Sequence, residues 1–412
     1  MANEERVVIG GVDTHKDVHV AAVIDDLGRI IETAEFEVTK AGYRSLLTWM
    51  GNFGELIKVG VEGTGAYGAG LARHLLGEGV TVVEVNRPNR TMRRQRGKSD
   101  TVDAEAAARA ALNGQATIAP KVQGGIVESI RALRVAFTSA RNSRTRVALQ
   151  IRDLIVTAPP ALRETLGSLD TAERVARCAR FRLSGDPGDP IEGTRLALRT
   201  LARRYELLSE EMSELEGTLD QLTARANPAL RGAKGVGTDV AAILLVAAGD
   251  NPRRLRNEAA FAAMCGVSPI EASSGQIVRH RLNRSGNRQA NHALWRIAFN
   301  RMVNDDTTKA YAARRQAQGK TKRDVMRCLK RYIAREMYHL IVDPQRVPAG
   351  AHLRTLRETA GLTQMKVASG LGVLNAAISR LETGKEHNTE LALRYEEWLI
   401  ALNQQAVRQR AA

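Results

Sequence analysis

Hydrophobic residues in the first ninety positions fall into short blocks separated by polar turns. Apolar runs at 6–13, 18–25 and 29–38 predict three strands, and turns as short as Asp26-Leu27-Gly28 make them a meander. Helical spacing then predicts a helix over 41–51, a strand over 57–62, a helix over 66–77 and a strand over 80–85. An alanine-rich helix follows, opening at Ser99-Asp100-Thr101-Val102-Asp103.

From 126 to 225 the period becomes helical throughout. Ile130, Leu133, Phe137, Ala140, Val147, Ile151 and Leu154 keep a heptad interrupted at Arg144, and Pro159-Pro160 ends it. After a loop at 184–190, Leu198, Leu201, Tyr205, Leu208, Met212, Leu215, Leu219 and Leu222 step by threes and fours without a miss. That strict period predicts a coiled-coil seam, closing as a hairpin or between chains, with some inter-chain contact favoured. Gly235-Val236-Gly237 resembles the turn of a helix-hairpin-helix; it either offers backbone N–H groups to phosphate or serves as a tight turn. Over 285–340, Trp295, Phe299 and Met302 are core candidates, with basic residues from Arg314 to Arg335 on the solvent side.

Composition sharpens this picture. In 412 residues a net charge of +16 points to a polyanionic partner, and the length suits two to four domains. No apolar run reaches membrane-spanning length, and the acidic start has no signal-peptide core. Cys178, Cys265 and Cys328 are isolated, without metal-ligand spacing, which suits a reducing compartment and packing roles. A cytoplasmic, bacterial, nucleic-acid-binding protein without a membrane partner is the expectation.

Four carboxylates carry the chemistry. Asp13 and Glu62 close two strands, and Asp100 and Asp103 share one face of the alanine-rich helix. Converging carboxylates repel one another unless hard cations lie between them, which is the makings of a two-metal Mg²⁺ site for phosphoryl transfer. Glu105, on the same helix, is a local rival for Asp103. The order of strands and helices is that of an RNase H-like (RuvC-like) α/β fold. Arg90, Arg93, Arg94, Arg96 and Lys98 precede the acidic helix and suit a phosphate backbone. Farther on, Ser273-Ser274-Gly275 stands ahead of Arg279, Arg281, Arg284 and Arg288. A serine attacking a phosphodiester needs such cations around the phosphorane.

Together these segments resemble the DEDD transposases of bacterial insertion sequences, the insertion sequence 110 family, whose relatives include bridge-RNA-guided recombinases. The resemblance spans roughly residues 5–340. Gly11-Val-Asp-Thr-His-Lys16, Val61-Glu-Gly-Thr-Gly-Ala-Tyr67 and Ser99-Asp-Thr-Val-Asp-Ala104 look like its three RuvC-like motifs. Gly235-Val-Gly237, Gly266-Val-Ser-Pro269 and Ser274-Gly275 look like its serine domain. The resemblance implies Mg²⁺ at Asp13, Glu62, Asp100 and Asp103, and a nucleophilic Ser274, preferred to Ser273 because it directly precedes the glycine. It also implies a homo-oligomer, a dimer pairing to a tetramer on DNA, in which one protomer's RuvC-like domain completes another's serine domain. Donor and target DNA and a structured guide RNA are the implied partners.

Residues 353–384 depart from that family and resemble a Cro-type helix-turn-helix, with Leu374 where a polar cap is usual and Asn375, Ala376 and Ser379 facing the groove. The expected layout is an RNase H-like domain over 1–120, a helical coiled-coil region over 121–225, a mostly α transposase domain over 226–342 and an all-α helix-turn-helix over 348–412. Two rival readings stay open at this point. One is a non-catalytic DNA-binding regulator built on the tail; the other is a metal-dependent nuclease or resolvase using water, with Ser274 structural.

Overall fold

The computed structural model describes residues 6–85, 99–274, 280–344, 347–386 and 388–411, with side chains described up to residue 402. The chain divides into two compact units: residues 1–125 with 248–256, and residues 126–247 with 257–412.

The first unit is a five-stranded sheet with helices on both faces. Strands β1 (Val7–Thr14), β2 (Val18–Asp25) and β3 (Ile30–Glu37) form the antiparallel meander; β4 (Glu55–Glu62) and β5 (Val82–Val85) are added in parallel. Their spatial order is β3-β2-β1-β4-β5, the RNase H-like arrangement. Helices α1 (Lys40–Gly51) and α2 (Ala69–Gly77) cover one face, where Val8, Val12, Leu46, Met50, Val59 and Leu71 form the core. Helix α3 (Asp100–Leu112) covers the other, where Ile9 and Ile24 meet Ala108 and Ala111. Because side chains alternate along a strand, β1 sends Val8 and Val12 to the first face and Ile9, Gly11 and Asp13 to the second. The strand is buried on both faces, hence its nearly continuous apolar run.

Glycine and alanine set the spacing on the α3 face. A β-carbon at Gly11 would collide with the Ala104 carbonyl oxygen and the Ala108 amide, and one at Gly60 would lie 2.5 Å from the Ala107 carbonyl oxygen. The alanine-rich helix therefore lies directly on the strand backbones, and Ala104, Ala107, Ala108 and Ala111 are buried against them. Residues 248–256 also belong to this unit. The Asn251 amide donates to the Pro120 carbonyl at 3.0 Å and its oxygen accepts from the Val122 N–H at 2.9 Å.

The second unit is helical. The long helices α4 (Ile126–Val156) and α7 (Pro190–Ala226) pack along each other, with α5 (Pro160–Gly167) and α6 (Thr171–Ala179) closing one end. Val147, Ile151 and Ile155 of α4 meet Leu198 and Ala202 of α7, Leu166 of α5 and Val175 and Cys178 of α6. The seam thus packs within the chain, against α4, as the hairpin alternative expects. The heptad interruption has a partner: the Arg144 guanidinium lies over the Tyr205 ring at 5.5 Å.

Helices α8 (Pro228–Gly232) and α9 (Thr238–Ala248) flank the glycine turn, with Gly235 at φ +80°. Helix α10 (Glu258–Met264), a short hairpin of β6 (Ile270–Glu271) and β7 (His280–Arg281), and helices α11 (Arg288–Asn304), α12 (Asp306–Ala317) and α13 (Lys322–Val342) follow. One expectation fails here. Trp295 and Phe299 are not core residues: they stand 39% and 52% exposed on α11, while Ala290, Ala293, Leu294, Ile297 and Ala298 fill the buried face.

The tail folds as α14 (Gly350–Thr359), α15 (Gln364–Leu371), α16 (Asn375–Glu382) and α17 (Thr389–Ala411) around Leu353, Val367, Ile378, Leu391 and Tyr395. Thr363 caps α15, and Gly372 (φ +66°) ends it in the left-handed conformation that the turn requires. Leu374 occupies the N-cap of α16 with no side-chain cap bond, and is 78% exposed.

Candidate functional site

Parity and register bring the first carboxylates together. Gly11 pairs with Gly60 and Val12 with Val61 across the parallel β1–β4 ladder, so Asp13 and Glu62 close neighbouring strands. Each lies two residues beyond a glycine on the α3 face, and so points to that face. Thr14 fixes the strand ends by donating its hydroxyl to the Glu62 carbonyl at 2.8 Å. Asp13, Glu62 and Asp103 are buried, with exposures of 8%, 8% and 6%, whereas the Asp100 side chain is half exposed.

The tightest group was only partly foreseen. Ligand atoms of Asp13, His15 and Asp100 all lie within 4.8 Å of one another. The His15 Nε2 stands 3.2 Å from Asp13 Oδ2 and 3.5 Å from Asp100 Oδ2, so a protonated imidazole can bridge the two carboxylates. The sequence reading passed over His15, although its place two residues after Asp13 at a strand end was available. Glu62 and Asp103 are on the same face but outside this compact group. Burial pushes the Asp13 carboxyl above its usual range; His15 pulls it back, and Asp103 and Asp100 push it up again. Glu105, the rival on α3, is engaged elsewhere: its carboxylate accepts from Arg109 at 3.0 Å.

This donor set fits a divalent cation. Several carboxylates crowd a desolvated corner, and the mutual repulsion acting on Asp13 is what a metal would relieve. Oxygen donors from Asp13, Glu62, Asp100 and Asp103 suit Mg²⁺, and His15 could add a nitrogen.

Ser274 belongs to the second unit. It is exposed, three residues past β6, where Ile270 pairs with Arg281 and Glu271 with His280. At the hairpin's base a cleft is lined by Arg281, Lys320, Arg327, Lys330 and Arg331. Part of this charge is already balanced: Glu258 accepts from Arg331 and Arg335, and Asp324 from Arg327. Arg284 and Arg288 are exposed on the approach to α11 and at its start. Arg90, Arg93, Arg94, Arg96, Lys98, Gly275 and Arg279 lie outside the described residues.

Comparison with known proteins agrees with the geometry. Residues 10–160 match the DEDD transposase model of the IS110 type, described as "Transposase". Residues 227–313 match "Transposase IS116/IS110/IS902 family", and residues 349–394 match "Helix-turn-helix domain". An RNase H-like sheet with carboxylates at its strand ends, followed by a second transposase segment, defines a DEDD-type transposase. The chain belongs to the IS110 family of insertion-element transposases, two of whose models together match more than half of it. Over 165 residues it is 30% identical to "Insertion element IS110 uncharacterized 43.6 kDa protein" of Streptomyces coelicolor, a match spanning 38% of this chain and 40% of that relative. Among the described residues no helix is long and apolar enough to cross a membrane.

Proposed function

We propose that this protein moves its own insertion element, cutting and rejoining DNA through a 5′-phosphoserine at Ser274. The observation that carries the reading is the gathering of Asp13, His15 and Asp100, with Glu62 and Asp103 buried on the same face. A scaffold or a pure DNA-binding regulator has no use for such mutually repelling groups. Asp13, Glu62, Asp100 and Asp103 would hold Mg²⁺, in a pair of ions, which supplies charge neutralisation at the scissile phosphate and acidifies a nearby hydroxyl.

The chain's own residues do the rest. Ser274 Oγ attacks phosphorus, its O–P bond forms, the bond to the 3′ oxygen breaks, and the 3′ hydroxyl leaves carrying a proton. The energy of the phosphoester is kept, so a 3′ hydroxyl from another strand can reverse the step, releasing Ser274 and joining new ends. Arg281, with Arg279, Arg284 and Arg288, would balance the charge of the phosphorane. Arg90, Arg93, Arg94, Arg96 and Lys98 would grip the backbone on the carboxylate side. The carboxylates and Ser274 belong to different units of the chain, and we place them in one composite site assembled from two protomers of a homodimer, which pairs to a tetramer on donor and target DNA. A structured RNA would choose the sites, and the net charge of +16 suits a complex holding both nucleic acids.

The decisive experiment is a nicked suicide substrate with the wild-type protein, followed by a denaturing gel and peptide mapping. A covalent adduct on the Ser274 peptide is expected. Ser274→Ala should bind DNA and form none, while Ser273→Ala keeps much of the activity. Strand exchange by Ser274→Ala would instead favour the water-driven nuclease.

A further inference from the structure

Helix α11 carries two apolar stripes, and among the described residues only one is packed into the unit. Ala290, Ala293, Leu294, Ile297 and Ala298 pack into the unit. On the opposite side, His292, Trp295, Phe299 and Val303 follow one another at spacings of three and four, which places them in a line along the helix. Their rings are stacked: His292 on Trp295 at 5.6 Å and 18°, and Trp295 on Phe299 at 5.3 Å and 18°. Phe299 and Val303 are more than half exposed, and Trp295 is 39% exposed. Arg288 begins the same line one turn before His292, and a cleft of about 360 Å³ beside Trp295 is lined by Arg284, Arg288, Asn287, His292 and Lys330. Arg284 and Arg288 have no ion-pair partner among the described residues, unlike Arg296 and Arg301, which are paired with Asp239 and Glu336.

We propose that this stripe is a stacking platform for an unpaired DNA strand. Near-parallel aromatic faces accept bases of any sequence, and unbalanced arginines at one end take the phosphates. A protein partner would want apolar area without free cations, and duplex DNA keeps its base faces hidden. The choice of DNA over RNA rests on the reading above, since the Ser274 hairpin runs through Asn283 and Arg284 straight into this helix. The start of α11 is also tied to the turn that leads into β6: the Asn291 amide donates to the carbonyls of Cys265 and Gly266, and the Asn287 side chain caps α11. A strand opened at the serine would thus meet α11 as the next surface along the chain.

The test is fluorescence anisotropy of the full-length protein with labelled single-stranded DNA, duplex DNA and single-stranded RNA of one sequence. Trp295→Ala with Phe299→Ala should weaken single-strand DNA binding by roughly tenfold or more, while duplex affinity stays constant. Trp295→Tyr should recover most of the loss, and Arg288→Ala should flatten the salt dependence. Circular dichroism establishes that each variant is folded. Unchanged single-strand affinity in the folded double variant, equal loss on duplex, or a loss confined to RNA would overturn the proposal. So would unchanged nucleic-acid affinity with lost self-association, which would assign the stripe to a second copy of the chain. Adduct formation at Ser274 is scored separately, so failure of the platform and failure of the serine mechanism give different results.

Discussion

Gly11 of β1 and Ala104 of α3 meet backbone to backbone, with no space between them for even one methyl group. That approach carries Asp103, one residue before Ala104, down to the level of Asp13. Gly11→Ala has to lift α3, and the obstacle is main chain, which cannot rotate away. We expect a loss of about 3 kcal/mol by chemical denaturation, together with loss of strand cleavage even though every carboxylate is intact. Wild-type stability would show that the helix has room to shift.

Asp13 should trade stability for function. Its carboxyl is raised by burial and by Asp103 and Asp100, against the pull of His15, so its contribution to stability is present in acid and lost as pH rises through the raised value. At neutral pH and without metal, Asp13→Asn should therefore melt above wild type. Adding Mg²⁺ should raise the melting temperature of wild type but not of the variant, and cleavage should fall by about 10²-fold. A variant that still cleaves and still gains stability from Mg²⁺ would reject the site.

The tail is pinned by a buried ion pair. Arg357 Nε stands 2.7 Å from Glu382 Oε1, with side-chain exposures of 9% and 1%, and Tyr395 and Gln364 also donate to Glu382. Burial acts to raise the Glu382 carboxyl, but bonds from Arg357, Gln364 and Tyr395 outweigh it and hold it below the usual range. Its stabilisation is thus present at neutral pH and lost as pH falls through the depressed value. Glu382→Ala should cost about 3–5 kcal/mol, because it leaves the Arg357 charge buried. Limited proteolysis of the full chain should then cut first within residues 350–400.

The α4–α7 seam closes within the chain, so its loss should not depend on concentration. Leu219 is 2% exposed, and Leu219→Ala should lower stability by about 2–5 kcal/mol. Melting temperatures measured over a hundredfold range of protein concentration should move in parallel for wild type and variant. A shift that shrinks as concentration rises would place this seam between protomers.

Much of the architecture was legible along the chain. A two-residue period and apolar runs gave strands ending within a residue or two of their positions in the fold, and both paired motifs, Asp13 with Glu62 and Asp100 with Asp103, could be read as facing one space. The family motifs at 11–16, 61–67 and 99–104 fall at the C-terminal ends of β1 and β4 and at the start of α3. The tail's turn at Gly372 was equally plain, because a left-handed residue there leaves a glycine in the sequence.

Other features depend on neighbours that a linear pattern does not name. The heptad at 198–222 states that a seam exists, and α4 of the same chain as its partner appeared only in the fold. Trp295 and Phe299 share the three-and-four spacing of a core stripe, because apolar residues on opposite faces of one helix repeat with the same period; only burial says which face the unit covers. His15 gains its place from the strand end that sets it beside Asp13 and from the helix start that brings in Asp100, 85 residues away in sequence. Local spacing determines which face a side chain takes, whereas the distance between faces is decided by packing, here by two glycines that let a helix lie on a sheet.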